Sequence, residues 1–142
     1  MIILDVNILL YAYDSTSSRH RKARKWLEAT FSGETLVGIP WQTVAAFLRI
    51  VTNQRLPGDR FTMEQAAQVI DEWIAQPNIR LLAPEDRHWS LFRRMAIEGQ
   101  ASGPLTTDAQ LAALSVEYGG VLHTTDRDFG RFPDLRWINP LA

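Results

Sequence analysis

Apolar positions along the chain alternate between short continuous runs and stretches with helical spacing. IILD at 2–5 is a run of the kind a buried parallel strand shows, and it leads directly into a helix through VNILLYAY. Ala23, Trp26, Leu27 and Phe31 make the stripe of a second helix, capped by Ser17 or Ser18 and stopped near Gly33. TLVGIP at 35–40 reads as a second strand. Pro40 suits the first turn of a third helix from Trp41 to about Asn53, with a stripe of Trp41, Val44, Ala45 and Leu48.

RLPGDRF at 55–61 is a turn, after which Thr62 and Gln65 form a capping box. The helix they open is predicted to bury Met63, Ala66, Ala67, Ile70 and Ile74, and Pro77 ends it. IRLLA is a third strand, and EDRHWSLFRRMAIEG a fifth helix packed through Trp89, Phe92 and Ala96. After the loop GQASGP, a sixth helix starts at Thr106 or Thr107 and stops at Gly119–Gly120. VLHTT is a fourth strand and LRWI a late edge strand.

Strands alternating with striped helices predict an α/β fold, a parallel sheet covered on both faces. At 142 residues without an internal repeat or a dividing linker, 1–142 reads as one domain. The apolar start is too short to span a bilayer and carries Asp5 and Asn7, so no membrane segment is expected and a cytoplasmic protein is. There is no cysteine, which removes disulfide scaffolds and thiolate metal sites. GxSxG, HExxH and phosphate-binding glycine motifs are absent, and the three histidines are scattered.

The chemistry lies in the aspartates. In an open parallel sheet, ligands bind beyond the carboxyl ends of the strands. Asp5 closes the first strand, Asp126 and Asp128 follow the fourth, and Asp108 stands in the first turn of the sixth helix. Singly, each has a structural reading: helix-dipole partner for Asp108, turn former for Asp126 and Asp128. Together they are hard to dismiss. Two carboxylates about 4 Å apart repel by roughly 4 kcal/mol at an effective dielectric near 20. Three such pairs would cost on the order of the whole stability of a domain, so a cation or shared protons must offset them. An all-oxygen set favours Mg²⁺, with Mn²⁺ as substitute, and such an ion suits phosphoryl chemistry. Asn7, Thr107 and Thr125 are placed to orient carboxylates or waters, or else serve as caps and strand partners.

At these residues the sequence resembles PIN-domain nucleases, specifically the VapC toxins of bacterial toxin–antitoxin pairs. The matching pieces are ILDVNILLYA at 3–12, AFLRIVTN at 46–53, TTDAQLAALSVEYGG at 106–120 and HTTDRDFGRFPDLRWINP at 123–140. The resemblance implies a three-layer α/β/α sandwich with a short, mainly parallel central sheet. It also implies Mg²⁺-dependent cleavage of RNA, a homodimer, and inhibition by a VapB-like antitoxin. By the same resemblance Asp5, Asp108 and Asp126 are the metal-site acids and Asp128 a further acid, with Asn7 and Thr125 as supporting polar positions. One position departs: the family's usual glutamate on the third helix is Ala46 here, with Gln42 and Arg49 on the same face.

The net charge of −1 conceals a basic cluster, RHRKARK at 19–25. With Arg93, Arg94, Arg127 and Arg131 it could hold an RNA backbone around the acids, or be a solvated helix face. The five tryptophans are expected mostly in the core. Two other classes compete with the nuclease: a module of this fold that binds antitoxin or RNA without turnover, motivated by Ala46, and a phosphoacceptor receiver domain. The latter wants a lysine after a late strand and paired acids after the first, and has neither.

Overall fold

The computed structural model describes residues 1–142. Five strands form one sheet, β1 (Ile2–Leu4), β2 (Val37–Pro40), β3 (Ile79–Leu82), β4 (Val121–His123) and β5 (Trp137–Ile138), in the order β3-β2-β1-β4-β5. Every pairing is parallel. Six helices flank it: α1 (Val6–Ala12), α2 (His20–Phe31), α3 (Trp41–Val51), α4 (Met63–Ala75), α5 (His88–Glu98) and α6 (Leu105–Glu117). A short 3₁₀ segment, Arg127–Arg131, follows β4. This is the three-layer α/β/α sandwich expected from the sequence.

Alternation along β1 sorts the two cores. Leu4 faces a cluster built with α1 to α4, including Leu9, Leu27, Phe47 and Trp73. Ile3 faces the other cluster, with Met95 of α5, Ala109 and Leu111 to Leu114 of α6, Leu122 and Phe129. Successive β-strands first run outward from β1 to β3 and then cross to β4 on the other side of β1. The break in direction therefore falls between β1 and β4, the place where an open α/β sheet leaves a crevice.

Several helices sit rotated from their expected faces. On α4 the buried positions are Ala66, Ile70 and Trp73, while Met63 and Ile74 are half exposed and Ala67 is exposed. The large indole decides the rotation: Trp73 packs 4.8 Å from the Phe47 ring and donates through Nε1 to Tyr13 Oη at 2.9 Å. On α3 the stripe is Thr43, Val44, Phe47 and Val51, so Trp41 is exposed and Ala45 turns outward. Thr43 fills a core position because its hydroxyl donates to the Leu4 carbonyl at 2.8 Å. On α5, His88 and Met95 are buried, Phe92 and Ala96 half buried, and Trp89 is 68% exposed.

Helix starts also differ. α2 begins at His20 with Arg19 at the cap and no side-chain cap bond, and Ser17 instead accepts from the Arg19 amide. α6 begins at Leu105, directly after Pro104, which pre-sets its first turn. The capping box of Thr62 and Gln65 forms as expected. Gly119 ends the turn after α6 at φ +63°, a conformation that favours glycine. No helix is long and apolar enough to cross a membrane.

Candidate active site

Register brings the first acid to the last strand. Leu4 pairs with His123, and the Asp5 amide continues the ladder to the His123 carbonyl at 3.1 Å. Asp5 thus stands at the carboxyl end of β1 across from Thr124, and serves as N-cap of α1 by accepting from the Val6 amide at 2.7 Å. Its second oxygen accepts from Thr124 Oγ1 at 2.7 Å and from Asn7 Nδ2 at 3.3 Å. Thr124 is fully buried, and its oxygen also accepts from Asn7 Nδ2 at 3.3 Å and from the Asp126 amide at 3.1 Å. One hydroxyl therefore ties together the ends of β1, α1 and β4.

Asp126 caps the 3₁₀ segment by accepting from the Asp128 amide at 2.9 Å. Asp108 reaches the same crevice from the first turn of α6. The crevice, about 370 Å³, is walled by Asp5, Asp108 and Thr107 on one side and by Gln42, Ala46 and Arg49 of α3 on the other. Gln42 donates across it to the Thr107 carbonyl at 3.2 Å.

Electrostatics couple the acids. Burial, together with repulsion from Asp5, Asp126 and Asp128, pushes Asp108 up to about 6, and Arg131 offsets only part of this. Burial also raises Asp5; the Thr124 and Val6 hydrogen bonds oppose it, and Asp126 adds repulsion. The cluster thus carries more negative charge than the protein neutralises. No three acidic or histidine side chains close around a point on their own. The side chains therefore form no complete protein cage for an ion.

A PIN domain profile matches residues 2–135 of the chain. The chain belongs to the PIN-domain family. Within it the chain groups with the VapC proteins: it is 38% identical to Ribonuclease VapC33 of Mycobacterium tuberculosis over 99% of both chains. Among solved structures it is similar to VapBC2 from Rickettsia felis bound to a promoter DNA fragment. That likeness has a TM-score of 0.71, 17% identity and coverage of 98% of each chain. It is also similar to M. tuberculosis VapC20, a sarcin–ricin loop cleaving toxin, at TM-score 0.67 and 14% identity over 96% of this chain and 99% of that one.

On this PIN scaffold Asp5 and Asp108 line the crevice, and Asp126 and Asp128 lie near enough to repel Asp108. Asn7 contacts Asp5 as anticipated. Thr125 contributes through its backbone, whose amide points to Asn7 Oδ1 at 3.5 Å. Sequence reasoning missed Thr124, whose hydroxyl does the organising. Strand register was the available signal, since the residue after His123 must lie opposite Asp5. The Thr107 hydroxyl donates back to the Pro104 carbonyl, three residues earlier at the start of α6, at 3.1 Å.

Proposed function

We propose that this PIN-domain protein is a Mg²⁺-dependent endoribonuclease, the toxin of a VapBC-type pair, acting in the cytoplasm as one domain spanning 1–142. The observation that carries the reading is the mutual repulsion of four aspartates from three distant segments at the break in the sheet. A stable fold keeps such a cluster where a cation or bound protons offset it, and at neutral pH a cation is the offset that leaves every carboxylate charged. Asp5, Asp108 and Asp126 would hold Mg²⁺, with Mn²⁺ as substitute, in part through bound waters, since no three acids close around one point; the ion would supply an activated water and charge stabilisation at the phosphodiester.

The protein's own part is positioning. Thr124 and Asn7 fix one oxygen of Asp5, and the Val6 amide fixes the other, so the carboxylate cannot rotate away. Asp128 stands beside Asp126, held by its backbone bond. Across the crevice Arg49, which makes no ion pair, presents a cation toward the strand to be cut. A VapB-like antitoxin is the partner we propose, supported by the relatives solved as VapBC complexes. A homodimer is proposed from the exposed Trp41, Trp89 and Ile97 side chains.

Ala46 on the crevice wall favours one second reading, a PIN module that binds RNA or antitoxin without turnover. Incubation of RNA with purified protein in Mg²⁺ or EDTA, beside Asp5→Asn, separates them. Mg²⁺-dependent cleavage absent from the variant supports the nuclease; RNA binding with no turnover at any Mg²⁺ or Mn²⁺ concentration supports the module.

A further inference from the structure

The basic cluster of α2 divides in the structure. Arg24 turns inward, pairs with Glu28 at 2.9 Å and lies over the Tyr13 ring. Arg94 is held by Glu98 and Asp134, and Arg131 donates to the Gly99 carbonyl. These cations are spent on the fold. Arg19, Arg21, Lys22 and Lys25 instead line an open groove of about 670 Å³ with Arg127, Asn139, Leu141 and Ala142, where Lys22 donates to the Leu141 carbonyl at 3.2 Å. No acidic side chain lines it, and none of the five basic groups makes an ion pair.

Two contacts set this groove beside the acids. Trp26 of α2 lies against the His123 ring at 5.8 Å, fixing α2 over the end of β4. Arg127 stands in sequence between Asp126 and Asp128, on the segment that Asp126 caps. It lines the basic groove while its two chain neighbours are the acids. Arg19 is steadied at the far side by the Tyr11 ring, 5.2 Å beneath its guanidinium.

The geometry points to a track for the phosphate backbone of the substrate RNA, entering along Arg19, Arg21, Lys22 and Lys25 and passing Arg127 to the aspartates. This rests on the nuclease reading given above and adds the path of the strand to it. Unpaired cations on one face, with no acid among them, match a polyanion; an evenly charged solvated helix would intersperse both signs. The density of charge also suits single-stranded RNA, whose phosphates release counterions to each cation they meet.

The test measures binding of a fluorescein-labelled 20-nucleotide single-stranded RNA by anisotropy, from 50 to 300 mM KCl, in EDTA so that turnover is held off. Arg21→Ala/Lys25→Ala removes two track cations. Arg55→Ala/Arg80→Ala removes two exposed cations elsewhere, on the turn after α3 and on the edge strand β3. For two single-strand phosphate contacts the slope of log K against log salt should flatten by about 1.4, and affinity at 0.1 M salt should fall about 25-fold. The control pair should leave both unchanged. An unchanged slope in the track variant, an equal loss in both variants, or no RNA binding by the wild type overturns the track. In parallel, the wild type is assayed for cleavage of the same RNA in Mg²⁺. Binding that depends on the track cations without cleavage would remove the nuclease reading and leave the track standing as an RNA-binding surface.

Discussion

Replacing Asp108 with asparagine should make the protein more stable, and only above acidic pH. The carboxyl titrates at about 6 in the folded protein against an ordinary 3.8, because burial and three neighbouring acids disfavour its charge. A difference of that size corresponds to about 3 kcal/mol at 1.36 kcal/mol per decade. The side chain is only half buried, so solvent screening reduces the expected effect to about 1–2 kcal/mol. The sign follows from proton binding. Because the folded state holds the proton more tightly, its stabilising share is complete below pH 3.8 and is lost as pH rises through about 6. Asparagine mimics the neutral form at every pH. In EDTA, thermal unfolding should therefore show Asp108→Asn and wild type alike near pH 4. By pH 7.5 the variant should melt about 3–6 °C higher. Saturating Mg²⁺ should close the gap from the wild-type side by binding the folded state. A variant that is less stable at pH 7.5, or a gap that does not change with pH, would refute the argument that these acids repel one another.

Thr124→Val should cost about 1–3 kcal/mol in urea denaturation, since it leaves Asp5, Asn7 and the Asp126 amide short of a partner; Thr125→Val should cost under about 1 kcal/mol. Cleavage should fall with the first substitution and not with the second. Trp73→Ala removes the indole on which Phe47, Tyr13 and Phe31 pack and should destabilise by about 3–5 kcal/mol by the same method. Ala46→Glu adds a carboxylate to the crevice wall and should tighten Mn²⁺ binding several-fold by calorimetry; weaker binding would mean that α3 does not face the ion.

Much of this was legible in the sequence because periodicity reports local constraint. The continuous apolar runs at 2–4, 37–39 and 121–122 could only be buried strands, and alternation with striped helices required two covering layers. The aspartates were visible because each falls where a strand ends or a helix begins. Helix rotation was less legible. Met63 and Ile74 are as apolar as Ala66 and Ile70, and only the Trp73 indole, seated against three other aromatic rings, settles which face turns inward. Thr124 and Thr125 are chemically identical neighbours. Their separation into a buried hub and a backbone contributor depends on pairing between residues 4 and 123, which no local pattern carries. Likewise, RHRKARK reads as one basic cluster, but its helix buries Ala23, sets His20 against the Tyr11 carbonyl and Arg24 over Tyr13, and leaves Arg19, Arg21, Lys22 and Lys25 on the open groove.

The most direct test of the central claim is cleavage of RNA by purified protein in Mg²⁺, in Mn²⁺ and in EDTA, with Asp5→Asn prepared identically and shown by circular dichroism to fold. The wild type should cleave in either metal and not in EDTA, and the variant should not cleave at all. Cleavage by Asp5→Asn at the wild-type rate, or wild-type cleavage that persists in EDTA, would contradict that claim.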